Sequence, residues 1–282
     1  MKKSILFLGA FAFAASVSFA QTPTGQNNSS TTDQTGNNNT ATVTQFGNDN
    51  GSSLIQDGNR NMGTVLQGGF GGGSIQSNNA TAFMTQIGND NTASISQRQG
   101  FSSGTFASNH EIFQDGKENL ATLTTFNGGN EGYVVQEGNR NEALGRQSQS
   151  GHTLYIDQIG NDNMAEVDQL GASNNFADII QVGNRNDAKT WQRGDSNTAV
   201  VYQFGNENVA TDITQNGDLN SIGVLQDGNG NVSSITQSGD LNVGLVDILG
   251  NGNSTILNQT GNGNFSLQFV TGNNNMSTVI QN

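Results

Sequence analysis

From residue 34 onward, small or apolar positions and polar positions alternate in short runs of a fixed length. In 163–169, every second residue reads Asn163, Ala165, Val167, Gln169; in 186–192 it reads Asn186, Ala188, Thr190, Gln192. The positions between hold Ser, Thr, Asp, Glu, Lys and some aromatics, as a solvent-facing side would. A period of two is the signature of a strand with one buried face. A helix would need a 3.6 spacing, and the regular glycines would penalise it.

The runs belong to a repeat of eleven residues, Q-x-G-N-x-N-x-(A/S/G)-x-(I/V/L)-x, with the next Gln closing the unit. The register residues are Gln34, Gln45, Gln56, Gln67, Gln76, Gln86, Gln97, Gln114, Gln136, Gln147, Gln158, Gln169, Gln181, Gln192, Gln203, Gln215, Gln226, Gln237, Gln259 and Gln281. Thr125, Ile248 and Val270 stand at three further register positions. Spacings are short on both sides of Gln76, around GGFGGG (68–73), and long between Gln97 and Gln114, where 98–108 reads as an insert. The spacings 169–181 and 203–215 carry one extra residue each, expected as bulges or loop insertions.

Eleven residues suit one strand and one tight turn. The glycine two residues after each Gln falls in the turn: Gly47, Gly58, Gly88, Gly138, Gly160, Gly183, Gly205, Gly228, Gly250 and Gly261. Together with the Asn that follows, it is expected to supply the positive-φ conformations. The fold class is therefore all-β, a β-solenoid of stacked strand-turn-strand rungs. Two units make a rung of about 22 residues, giving about 11 rungs stacked over about 50 Å.

The glutamines and the asparagines five residues after them (Asn50, Asn61, Asn91, Asn141, Asn163, Asn186) share the inward parity. A lone buried amide costs about 1–3 kcal/mol if left without partners. A column of amides at the strand spacing of about 4.8 Å satisfies itself, each N–H donating to the carbonyl of a neighbouring rung. Aliphatics such as Val43, Leu54, Ile95, Val167 and Val201 fill the strip between the sheets. Ala93, Ala121, Ala143 and Ala199 let the sheets approach. These structural amide ladders and turn glycines are the candidate functional residues.

Composition explains why such a fold is needed. Hydrophobic residues are only 32% of the 282, with 38 Gly and one Pro. That is too little apolar mass for a conventional core. Lys2 and Lys3, an apolar stretch over 5–17 and Ser18-Phe19-Ala20 form a signal peptide over 1–20, with cleavage expected before Gln21. The apolar run is too short for a transmembrane anchor. Residues 21–33, with Pro23, read as a disordered polar leader, and 34–282 as the solenoid. Removing Lys2 and Lys3 takes the net charge from −13 to −15, which argues against nucleic acid as a partner. With no Cys there is no disulfide, lipid anchor or thiolate metal site.

The repeat resembles that of the curli fibre subunits, S-x5-Q-x-G-x-(G/N)-N-x-A-x3-Q. Its second half stands here as QIGNDNTASISQ (86–97), QIGNDNMAEVDQ (158–169) and QFGNENVATDITQ (203–215). The likeness covers nearly all of 34–281, although this chain has about twice the rungs and favours GNDN, GNRN or GNEN turns. It implies a major subunit of an extracellular functional amyloid in biofilm matrix and adhesion. Its partners would be further copies of itself, a nucleator subunit, an outer-membrane secretion channel and a periplasmic chaperone, with 21–33 as the secretion-targeting segment.

Other readings stay open. The chain could be a minor nucleator subunit of such a fibre, or a monomeric β-solenoid adhesin. Prion-like disorder does not need strict register. Ice binding wants a regular Thr array, and calcium-loaded repeats want a constant turn acid, whereas the turns here carry Asp49, Arg60, Glu207 or Gly230. Turn charges such as Asp57, Asp115, Glu137, Arg140, Arg185 and Asp227 act either as gatekeepers against premature assembly or as solvated turn residues. His110 and His152 read as polar substitutes rather than bases, and the repeats offer no cleft, so no enzymatic role, cofactor or metal site is expected. Tyr133, Tyr155, Trp191 and Tyr202 fall at outward positions, open to lateral contacts. With the repeat running to Gln281, copies are expected to add end to end through open strand edges.

Overall fold

Every regular element is a β-strand in a computed structural model that describes residues 17–20, 27–68, 78–98 and 107–282. Successive strands alternate between two parallel sheets, one of 12 strands and one of 11. The first sheet starts with Val17–Ala20, Thr40–Gln45 and Met62–Gln67 and ends with Met276–Gln281. The second starts with Ser29–Thr35 and Gly51–Asn59 and ends with Phe265–Thr271. One strand from each sheet makes a rung. The chain is a β-solenoid, and Gln stacks on Gln in register, as for Gln136 between Gln114 and Gln158.

The inward parity holds as the alternation predicts. Leu54, Ile95, Val167, Val201, Ala121 and Ala199 are fully buried, and Val43 is nearly so. Each buried Leu, Ile or Val contributes on the order of 1.5–3 kcal/mol, and the alanines keep the sheets close. Of the two twelve-residue units, 203–215 contains a bulge, since the register shifts between Val209 and Asp212. The other, 169–181, takes its extra residue into the corner, and the flanking strands stay in register.

One expectation is corrected here. The leader does not stay irregular to residue 33: Ser29–Thr35 is a strand paired with Gly51–Asn59. Asn28 explains why, because its Nδ2 donates to the Gly47 carbonyl and its Oδ1 accepts the Asn50 N–H. It plays the part of the inward Asn of a unit whose Gln position is Pro23. The register position Gln76 lies outside the described residues. Met62–Gln67 and Thr81–Asn89 are consecutive strands in opposite sheets, and Gln56 stacks on Gln86 across 30 residues, where an ordinary rung such as Gln114–Gln136 spans 22. The strand Val17–Ala20, inside the expected signal peptide, runs parallel to Thr40–Gln45, so cleavage before Gln21 would bare that edge.

The corners also differ in detail. Glycine at the second position after Gln does take positive φ, for example Gly138 at 113° and Gly160 at 120°. It sits at the end of the strand, paired with the glycine of the next rung. The second positive-φ residue is not the following Asn but the fourth residue after Gln. Asp49, Arg60, Asp90, Arg140, Asp162, Arg185 and Glu207 all lie between 55° and 60° there. Asn and Asp tolerate this left-handed conformation, whereas Arg and Glu pay a conformational cost of about 1 kcal/mol.

Candidate functional site: the amide ladders

Each inward Gln is fully buried along most of the stack and uses both amide hydrogens. One runs along the column. In the second sheet Gln56 Nε2 donates to Gln86 Oε1 at 2.7 Å and Gln136 donates to Gln158 at 2.8 Å. The same bond continues through Gln181 and Gln203 to Gln226. In the first sheet it links Gln45, Gln67 and Gln97, then Gln147, Gln169, Gln192, Gln215, Gln237, Gln259 and Gln281. The other hydrogen crosses the arch to a backbone carbonyl of the facing sheet, as from Gln136 to Leu120 and from Gln158 to Glu142. The ladder therefore stitches the sheets together as well as stacking the rungs. Every column bond points the same way, from Nε2 to the Oε1 of the higher-numbered rung, so the stack has a polarity.

The inward asparagines form a second device with the turn glycines. Asn163 Oδ1 accepts the backbone N–H of Asn186 at 3.0 Å, and its Nδ2 donates to the carbonyl of Gly183 at 2.9 Å. Asn61, Asn91, Asn141 and Asn186 repeat both contacts. Asn50 accepts from the N–H of Ala80 in the same way. This closes backbone groups that the corner would otherwise leave unpaired inside the stack. The Asn after each turn Gly, predicted to shape the turn, instead makes an outer column: Asn139 Nδ2 donates to Asn161, Asn161 to Asn184, Asn184 to Asn206, and onward to Asn273. Sequence reasoning missed this function although the residue recurs.

The two histidines stand where the ladders lack an amide. His152 occupies an inward Asn position, its Nδ1 accepting the Asn175 N–H at 3.2 Å and its Nε2–H donating to the Ser148 carbonyl at 2.6 Å. This copies the acceptor of an Asn and its donation to the carbonyl four residues back, as Asn91 makes to Ile87. Burial lowers the His152 pKa below the ordinary imidazole value. His110 enters from the small-residue position of the second sheet, next to Gly132, and reaches the break at Thr125. At the other two substituted positions, Ile248 and Val270, the second-sheet ladder stops in buried aliphatic contact.

The solvent sides are less polar than the alternation suggests. Phe83, Ile87, Tyr155, Phe204 and Phe269 are exposed. Tyr133 and Tyr155 stack at 5.0 Å, Tyr202 donates to Asp178, and Trp191 lies under Lys189. At one corner, Arg60 pairs with Asp90, Arg140 with Asp162, and Arg185 with Glu207, each across one rung. The Arg140 guanidinium holds the Asp162 carboxyl below its usual range. Among the described residues there is no cluster of three or more His, Asp or Glu placed to hold a metal ion, and no helix long and apolar enough to cross a membrane.

A family model described as curlin associated repeat matches residues 24–47, 129–171, 183–211, 210–239 and 234–261. The stretch it passes over, 48–128, contains the rungs lengthened to 30 and 28 residues. A search of curated proteins finds no match.

Proposed function

The chain belongs to the curlin-repeat family, and from that premise we propose that it is the structural subunit of an extracellular curli-like amyloid fibre, assembled by stacking copies along the solenoid axis. The observation that carries this reading is the polarity of the ladders. With residues 1–20 removed, the strands bearing Gln34 and Gln45 form the low-numbered edge; among the described residues no ladder amide donates to the Oε1 of either, while at the other edge Gln281 has an amide hydrogen to give. Asn264 and Asn275 likewise present Oδ1 acceptors to the backbone N–H groups that Asn28 and Asn39 would bring. One register satisfies all of these except Gln34, which meets Val270 at the aliphatic end of the second-sheet ladder: Gln45 falls on Gln281, Asn39 on Asn275, Asn28 on Asn264 and Asn37 on Asn273. Phe265, Phe269, Met276 and Ile280 are exposed at that edge, and stacking would cover them.

In this reading the chain is exported, residues 1–20 are removed and the fibre forms outside the cell, contributing to biofilm matrix and adhesion. A nucleating subunit, an outer-membrane channel and a periplasmic chaperone would serve it, as in the family. The test is growth of the chain lacking residues 1–20. Lag-phase polymerisation shortened by seeds, amyloid-dye binding and a meridional reflection near about 4.7 Å support it. A stable, cooperatively melting monomer that ignores seeds overturns it.

A further inference from the structure

His110 is fully buried and bonded across the sheets. Thr125 takes the register position between Gln97 and Gln147, too short to bridge them. Gln97 Oε1 already receives Gln67, so the orientation of its amide is fixed and Nε2 faces the gap. His110 Nδ1 lies 2.7 Å from that Nε2, and His110 Nε2 lies 2.7 Å from Thr125 Oγ1 and 3.3 Å from Gln147 Oε1. An amide N–H can only donate, so Nδ1 must be an acceptor and the ring hydrogen sits on Nε2, aimed at Thr125 and Gln147. The ring has room because its neighbours in the sheet are Ala82 and Gly132; a β-carbon on Gly132 would come within 2.6 Å of it.

We propose that His110 is a proton-operated latch: the neutral imidazole splices the glutamine ladder across the Thr125 gap, and protonation unfastens that rung, so the stack opens first there in acid. A second ring proton would point Nδ1–H at the Gln97 amide nitrogen; that amide still has the Thr81 and Ser108 carbonyls to donate to, but the ring proton would have no acceptor. The groups facing the ring are Ala82, Gly132, Gln97, Thr125 and Gln147, none of which titrates. The carboxylates of Glu111 and Glu131, on the same and the adjacent strand, point outward and do not compensate a buried imidazolium. Burial accordingly pushes the pKa down to about 4. This property belongs to the folded solenoid and does not depend on whether copies assemble.

The decisive comparison is made in a His152→Asn background, which removes the other imidazole. There, the parent is set against His110→Ala/Thr125→Gln, which restores an unbroken ladder. Between pH 7 and pH 4 the parent's unfolding equilibrium constant is expected to rise by about 100-fold more than the double variant's, because the opened rung binds the proton far more readily than the closed one. Carboxylates are common to both and cancel. The full-length chain gives an independent readout through the ring 15N shifts of His110, in solution or in the solid. A neutral Nε2–H ring down to about pH 5, with exchange of the rung's amides rising below it, supports the latch. Equal pH dependence in the two proteins, or a ring that titrates at the ordinary value in the folded state, overturns it.

Discussion

Gly138 lies so close to Gly160 of the next rung that a β-carbon on it would stand 2.0 Å from the Gly160 carbonyl oxygen. Its φ of 113° is also outside what other residues adopt. Gly138→Ala is therefore expected to cost at least about 3 kcal/mol, read as a drop in denaturant midpoint. Gly230, at a φ of 64° and with nothing within 4 Å of where its β-carbon would sit, is the internal control. Gly230→Ala should cost only about 1 kcal/mol. Equal effects would mean that the contact between rungs is unimportant.

Removing one ladder amide should be far worse than removing an outward hydroxyl. Gln158→Ala leaves the Gln136 amide, the Glu142 carbonyl and the Gln181 Oε1 each short of a partner, and opens a cavity. The expected loss is about 2–4 kcal/mol. Thr236→Ala, on the outward parity, should stay within about 0.5 kcal/mol. Chemical denaturation of both variants checks the ordering.

The aliphatic end of the second-sheet ladder predicts non-additivity. Ile248→Gln gives Gln226 an acceptor but aims a new N–H at Val270, so alone it should destabilise. Adding Val270→Gln should recover much of that loss, because the second amide accepts the stray hydrogen. A double-mutant cycle on unfolding free energies measures the coupling, expected to be about 1 kcal/mol or more and favourable.

His152 makes acidity costly at a second point. Its folded pKa lies below the ordinary value, so the unfolded chain binds protons first as pH falls. Stability from this group is intact above about pH 6.5 and declines below it. His152→Asn supplies the same acceptor without a titrating group. The variant should match the parent at neutral pH and exceed it near pH 5, as thermal melts at the two pH values will report.

The strand parity, the two-unit rung and the burial of Gln158 or Val167 were legible in the sequence because each depends on neighbours close along the chain. The unit from Pro23 to Asp33 was missed because its Gln position is proline, although Gly25 and Asn28 keep the spacing. The positive φ of Arg60 and Arg140 was illegible, since side-chain preference points to the neighbouring Asn. The pairing of His110 with Thr125 joins opposite sheets, a relation that no single column of the repeat displays.

The ladders by themselves do not say which rung belongs next to which, because a strand displaced by a whole turn still sets Gln on Gln and Asn on Asn. The corner ion pairs break that tie. If the turn bearing Asp162 were skipped, Arg140 would meet Arg185, and skipping the turn of Arg185 would bring Asp162 against Glu207. From Arg140 to Glu207 the charges thus serve as an address written on the outside of the coil, over rungs whose interior is nearly the same at every step.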